Sequence, residues 1–515
     1  MTRPVAERSG AARPGWGAGL LAMVAGGLQA ASLAPEPRGV LQVLGAALLA
    51  ALVMRVRPRQ AFALGLLAGT TALAGTFWWL FISMYRYGNL PAGLAAGAVL
   101  ALAAALSLYQ AGAMALFVRW RGRGGFGRDL LLWCALGLLA ELARAQLLTG
   151  FPWGASGYAH VDGPLALLAP WLGVHGVGAA GAALGFGLAW LATRRRPLPG
   201  LAAAGLVLAL ALAPAGRGPD FTRASGTLTV ALLQGNVPQD EKFDFSRLPA
   251  TLDWHVRALL AATADLVVAP ETAIPLLPAQ LPEGLWAGLS AHFARSATSA
   301  LVGVPLGDLD AGFSNSVVGF GRGLSGAGLY RYDKHHLVPF GEFIPWGFRW
   351  FVDMMRMPLG DFSRGPLAPA SFAVGAERVA PNICYEDLFG EELATRFVDA
   401  AQAPTVLANV SNIGWFGQTV AVDQHLQISR MRTLELQRPM VRATNTGATV
   451  AIDHRGRVTH RLAPHVRGVL EAAVQGREGT TPFAWWAGRL GLLPLWALGL
   501  IGVAAAALRG RKTAA

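Results

Sequence analysis

The sequence predicts a multi-pass α-helical membrane protein carrying one inserted α/β domain. Three observations predict it. Mean hydropathy is +0.42 and only 14% of the 515 residues are charged, which departs from ordinary soluble composition. Long apolar runs crowd both ends of the chain, and between 216 and 482 they give way to short segments of strand and helix character.

Apolar runs long enough to cross hydrocarbon, about 18 residues or more, fall at 16–34, 38–54, 60–84, 91–118, 129–149, 164–193 and 197–214, with one more at 484–508. Eight spans are therefore expected. Their Gly and Ala content suits close helix packing in lipid. The first run follows Arg3, Arg8 and Arg13 in the manner of a signal peptide, but the spans behind it argue for a retained helix. The expected domains are 1–215 with seven helices, 216–482 as the inserted domain, and 483–515 as the eighth helix with a basic tail.

The net charge of +13 raises nucleic acid as a partner. Its location argues otherwise. Residues 216–482 hold 23 Lys plus Arg against 25 Asp plus Glu, a balance of −2. The remaining 20 basic residues lie in the membrane portion, and 16 of them occupy alternate connections or termini: Arg3, Arg8, Arg13; Arg55, Arg57, Arg59; Arg119, Arg121, Arg123, Arg128; Arg194, Arg195, Arg196; Arg509, Arg511, Lys512. The opposite connections hold only Arg38 and Arg86. By the positive-inside rule both termini are cytoplasmic and 216–482 faces outward. No nucleic-acid partner is expected.

Within the inserted region, TLTVALLQ, ADLVVAP, ALVGVP, NSVVGFG, RVAPNIC, PTVLANVS and ATVAIDH read as strands. Helical spacing over 248–263 and 421–437 alternates with them. Continuous apolar strands alternating with helices indicate covered sheets, which two stacked sheets flanked by helices would satisfy.

Three residues carry candidate chemistry. Cys384, in RVAPNICYEDLFGEELATRF, sits where a strand yields to a helix expected near Glu386, so free N–H groups and the helix dipole favour a nucleophilic thiolate; the plainer reading is an inert buried cysteine. Cys134 lies in an expected span, so the two cysteines do not meet as a disulfide. Glu271, in APETAIP, follows a buried-looking strand between Pro270 and Pro275 and can serve as a general base, or stand as a turn residue in water. Lys334, in LYRYDKHHLVPFGEFIP, can stabilise an oxyanion or be merely solvated. It is one of two lysines in the region, with Lys242, where arginine is otherwise used. A carboxylate, an amine and a thiol at strand ends together describe a nucleophilic site.

PET with Glu271, YDKHHLVPFGE with Lys334 and Glu342, and ICYED with Cys384 resemble the Glu-Lys-Cys signatures of the nitrilase superfamily. The surrounding spans, FPWG at 151–154 and DQHLQISRMRTLELQRPMVRATNTG resemble the apolipoprotein N-acyltransferase family. The resemblance implies an α-β-β-α nitrilase-like sandwich inserted into the membrane domain. It implies a two-step acyl transfer, with Glu271 taking the thiol proton, Cys384 attacking a phospholipid ester and Lys334 holding the oxyanion. The acyl group would pass to the α-amine of a diacylglyceryl-cysteine on a lipoprotein. Glu342, Tyr385 and Glu386 match supporting positions. SNIGWFG departs from the family pattern by placing Ile413 where an acidic residue is usual, while Asn412, Trp415 and Phe416 are kept.

Both substrates of such a transfer carry acyl chains. Exposing a 16-carbon chain to water costs roughly 10 kcal/mol, at about 0.8 kcal/mol per CH2, so the site is expected to open toward the bilayer. Segment 345–362, with Trp346, Phe348, Trp350, Phe351, Met354, Met355 and Met357, is read as an arm that meets the outer leaflet; packing on the sandwich core is the alternative. Trp415 and Phe416 are further lipid-contact candidates. Tyr85 and Arg86 are placed in an outward connection, as head-group contacts or interfacial anchors. Glu141 and Arg144, three apart on one helical face, are expected to pair and hold the 149–160 loop, with a head-group contact as the alternative. His335 and His336 lack ligand spacing, so no metal and no cofactor are expected, and the chain is expected to act as a monomer. A membrane-tethered amidohydrolase uses the same triad, but one anchor would suffice for it. A transporter or scaffold leaves the triad without a purpose.

Overall fold

The computed structural model describes residues 15–33, 35–121, 125–193, 218–242, 244–310, 312–354 and 361–512. The expected span 197–214, Met355 and Met357 lie outside the described residues.

Among the described residues, four helices are long and apolar enough to cross a membrane: Pro58–Phe77, Ala92–Trp120, Phe126–Thr149 and Pro164–Thr193. Two expected spans form shorter helices, Trp16–Ala31 with 16 residues and Gly39–Val53 with 15. The last span is not straight. Pro482–Leu490 and Leu493–Ala507 meet at 91°, with Gly491 in the left-handed region at the corner. The bundle core is built from small residues such as Ala22, Ala50, Ala61 and Ala68 around Phe117, Trp133 and Phe186, the composition that lets helices approach closely in lipid.

The inserted region forms two six-stranded sheets, ordered β12-β1-β2-β3-β4-β5 and β11-β10-β9-β8-β7-β6. The first contains β1 (Thr222–Gln234), β2 (Leu266–Val268), β3 (Ser299–Asp308), β4 (Gly312–Phe320), β5 (Tyr330–Asp333) and β12 (Gly468–Gly479). The second contains β6 (Phe372–Val374), β7 (Glu377–Ile383), β8 (Val406–Ser411), β9 (Met440–Thr444), β10 (Val450–Ile452) and β11 (Val458–Arg461). Strands β1, β2 and β3 run parallel, as do β7, β8 and β9. Antiparallel strands extend both sheets. The inner faces interdigitate through Val230, Leu232, Leu301 and Val317 on one side and Val379, Val406, Ala408 and Val441 on the other.

Helices Leu248–Ala261 and Leu285–Arg295 cover the first sheet through Leu252, Leu259, Leu289 and Phe293. Helix Ala421–Leu436 covers the second, and thirteen of its 16 residues are buried. It is buried on both sides because the membrane domain packs on its far face: Leu426, Ile428 and Met431 share one core with Phe77, Trp79, Trp153 and Tyr158. Its polar residues are spent at that junction. Gln424 accepts from the indole N–H groups of Trp79 (3.0 Å) and Trp153 (2.7 Å) and donates to the Thr76 carbonyl (2.8 Å).

Glu141 and Arg144 do hold the 149–160 loop, though each through its own partners. Arg144 donates to the Phe151 and Trp153 carbonyls (2.6 and 2.8 Å), while Glu141 accepts from Ser156 (2.8 Å) and contacts His175 (2.8 Å).

Candidate active site

Parallel β-strands end together, and the loops that follow them converge at one edge of the sandwich. Glu271 follows β2, Lys334 follows β5 and Cys384 follows β7. The turn at Glu271 is tight, with Thr272 in the left-handed region. Gly303 makes room for it: a Cβ there would lie 2.2 Å from the Pro270 carbonyl oxygen and 2.8 Å from the Glu271 Cα.

Lys334 is 1% exposed and its Nζ lies 2.9 Å from Glu342 and 3.6 Å from Glu271 Oε1. Burial alone would lower its pKa, but Glu342 and Glu271 outweigh burial and hold the ammonium above the ordinary lysine value. Asn315 on β4 joins the two carboxylates, its amide donating to Glu271 Oε1 and to Glu342 Oε1, each at 2.7 Å. The other Glu271 oxygen accepts from the Asn412 backbone N–H (2.8 Å). Glu342 Oε2 accepts from the Val338 N–H (2.8 Å). Four donors therefore fix the orientation of both carboxylates.

Cys384 occupies the left-handed region at φ 51°, an uncommon backbone for a non-glycine residue and one held only by strong surroundings. Its carbonyl accepts from Asn409 (3.3 Å) and His425 (3.1 Å). Behind them, His425 Nε2 lies 2.9 Å from Asp387 and its Nδ1 lies 3.0 Å from the Arg442 guanidinium. The helix expected near Glu386 forms only as short pieces, a 3-10 helix over Cys384–Leu388 and a five-residue α-helix, Gly390–Ala394, too little aligned backbone to activate a thiol. Burial pushes the Cys384 thiol up to about 12, with Glu271 adding to the rise and Lys334 opposing it. The sulfur is therefore protonated near neutrality, and a base must remove its proton as it attacks.

Glu386 organises the rim. One oxygen accepts from Tyr332 OH (2.5 Å) and the Ile383 N–H (2.7 Å), the other from the His335 N–H (2.7 Å) and His336 N–H (3.2 Å). The strand carrying Cys384 is thus tied to the loop carrying Lys334. Tyr385 points to the membrane domain, with its OH 3.5 Å from the Gly150 carbonyl and its ring stacked on Phe151. Ile413 is 2% exposed among apolar neighbours, so the position departs from the acidic pattern by joining the core. Phe416 packs on Trp79 and Trp415 on Tyr87.

Short helix Arg349–Met354 docks through Phe351 and Val352 beside Leu90, Ala95 and Phe340, so the arm packs on the membrane domain. Trp346 and Trp350 are 98% and 65% exposed, and Phe348 and Met354 are also exposed. Tyr85 is exposed and stacks on Phe81. Arg86 pairs with Asp240 (3.1 Å), so its charge is engaged by the loop after β1.

Residues 25–187 match the family described as apolipoprotein N-acyltransferase N-terminal domain, and 229–483 match carbon-nitrogen hydrolase. The chain is 54% identical over 499 residues to an apolipoprotein N-acyltransferase of Verminephrobacter eiseniae, covering 92% of each chain. The chain belongs to the apolipoprotein N-acyltransferase family. A relative so named from Ralstonia nicotianae is 45% identical, covering 96% of this chain and 94% of its own. Among solved structures, a carbon-nitrogen hydrolase from Helicobacter pylori G27 is similar at 16% identity and TM-score 0.35, covering 48% of this chain and 89% of that one.

Within this candidate site, sequence reading missed Asn315, Asn409, His425 and Arg442. Each lies inside a strand or helix whose apolar periodicity gives no sign of a polar task.

Proposed function

We propose that the chain transfers an acyl group from the sn-1 position of a membrane phospholipid to the α-amine of an N-terminal diacylglyceryl-cysteine, the final step of lipoprotein maturation. The observation that carries this reading is the convergence of Glu271, Lys334, Glu342 and Cys384 at a rim that packs on the membrane helices.

Glu271 removes the thiol proton as sulfur attacks the ester carbonyl. Lys334 and neighbouring backbone N–H groups stabilise the oxyanion. Its collapse breaks the ester C–O bond, the leaving lysophospholipid oxygen takes the proton from Glu271, and the acyl group remains as a thioester on Cys384. The neutral α-amine then attacks the thioester, Glu271 accepts a proton from nitrogen, and the sulfur departs and recovers it. Glu342 orients Lys334, while Tyr385 and Glu386 fix the rim.

Trp346, Phe348, Trp350, Phe351 and Met354, with Trp415 and Phe416, form the apolar approach for acyl chains, flanked by Tyr85 and Arg86. The charge pattern supports an arrangement in the bacterial inner membrane with eight spans, cytoplasmic termini and the domain 216–482 in the periplasm. The enzyme works as a monomer without metal or cofactor.

The test is two-substrate kinetics with a phospholipid and a diacylglyceryl-cysteine peptide. Parallel double-reciprocal lines and N-acylated product are expected, with none from an N-acetylated peptide. Intersecting lines, or acyl transfer to the blocked peptide, would sink the proposal.

A further inference from the structure

Lys242 is the second lysine of the inserted domain, and the scheme above gives it no task. It sits within the loop between β1 and helix Leu248–Ala261, is 4% exposed, and its Nζ donates to the backbone carbonyl of Glu271 (3.1 Å). The loop is firmly held. Val237 and Asn445 exchange hydrogen bonds (3.0 and 2.8 Å), Gln239 accepts from Asn412 (2.8 Å), and Asp240 pairs with Arg86. A buried ammonium is costly unless something nearby needs its charge.

The groups around it show what needs it. Lys334 is shared by Glu271 and Glu342, with the shorter contacts to Glu342. One buried cation thus faces two buried carboxylates, and without Lys242 the cluster would be net negative. The other titratable groups facing Lys242 are Cys384 and, from helix Leu248–Ala261, His255. Burial drives the His255 imidazole down to about 4, so it is uncharged at pH 7 and supplies no cation. Burial also lowers Lys242, to about 8, against the opposing pull of Glu271 and Cys384. It therefore remains charged at neutral pH.

We propose that Lys242 is a positioning residue for the reaction, the counter-ion that balances the buried carboxylate pair and keeps Glu271 anionic and free to accept a proton. This rests on Glu271 acting as the base for Cys384. In its absence the cluster relieves its negative charge by taking up a proton, which removes the base.

The test is the pH dependence of Cys384 alkylation by iodoacetamide in the full-length, detergent-solubilised Cys134→Ala protein. Alkylation needs no phospholipid, so it reports on the pair whether or not the acyl-donor reading holds. Lys242→Met and Lys242→Gln are expected to move the acid limb upward by roughly one pH unit or more, and Lys242→Arg to leave it in place. Lys242→Gln keeps a donor for the Glu271 carbonyl, so it separates charge from hydrogen bond; if Lys242→Met does not fold, Lys242→Gln and Lys242→Arg carry the comparison. A uniform loss of rate with an unmoved limb, or a shift in Lys242→Arg equal to that in Lys242→Gln, overturns the proposal.

Discussion

A thiol pushed up to about 12 is a poor nucleophile until its proton is taken, so on the proposed mechanism Glu271 is the residue on which rate depends. In Glu271→Gln, alkylation of Cys384 is expected to move to alkaline pH, while the unsubstituted protein reacts near neutrality; coincident profiles would show that Glu271 is not the base. Glu342→Gln removes the nearer of the two carboxylates on Lys334, and kcat is expected to fall roughly 100-fold with KM little changed. A rise in KM alone would assign Glu342 to substrate binding instead. Glu271, Lys334 and Cys384 stand out in the sequence as candidates because they are rare in type or setting: one thiol in the inserted region, one of two lysines, one carboxylate between prolines. Asn315 and His425 do not, since an asparagine in a strand and a histidine in an amphipathic helix look like side chains turned to water until the partner element is known.

At the scale of elements, helix Ala421–Leu436 reads from its periodicity as an ordinary covering helix, and its limits were legible to within a residue. Its second buried face was not, because there apolar residues such as Leu426, Ile428 and Met431 are interleaved with polar ones such as Gln424. Gln424 serves two indoles and a carbonyl from the membrane domain. The Trp79 N–H also donates to the Thr76 carbonyl (3.0 Å), so Gln424→Leu leaves the Trp153 indole N–H unpaired at about 1–3 kcal/mol, and the melting temperature in detergent is expected to drop by a few degrees. An unchanged melting temperature would mean that the junction does not depend on this residue. Strands β5, β6, β9, β11 and β12 also escaped the sequence reading. The first four have three to five residues, and β12 alternates between exposed and partly buried positions along its outer half, which weakens its apolar signal. The arm carries a kinetic expectation. Replacing Trp346 and Trp350 by Ser is expected to raise the KM for vesicle-borne phospholipid about tenfold, through lost apolar contact, and to leave turnover on short-chain soluble donor unchanged. Equal losses on both donors would place these residues in the chemistry.

At the scale of the whole molecule, composition and the length of the apolar runs mark the long apolar helices apart from the β-rich region between them. They did not reveal the 91° corner in the last span, since hydropathy measures apolar length and carries no information on bending. The orientation has a direct check. In a Cys134→Ala, Cys384→Ala background, Leu309→Cys at the exposed tip between β3 and β4 is expected to react with a membrane-impermeant maleimide in intact spheroplasts, and Arg57→Cys only after permeabilisation. The reverse pattern would invert the topology. On the proposed mechanism both domains serve one purpose: an acyl chain stays in lipid while its carbonyl reaches the half-buried thiol of Cys384.

The most direct measurement is to incubate the purified protein with a phospholipid labelled in its acyl chain, with no acceptor present, and to locate the label. The account predicts a hydroxylamine-sensitive adduct on Cys384 with release of one lysophospholipid per adduct, lost in Cys384→Ala. No adduct on the unsubstituted protein, or a thioester that persists in Cys384→Ala, would contradict it.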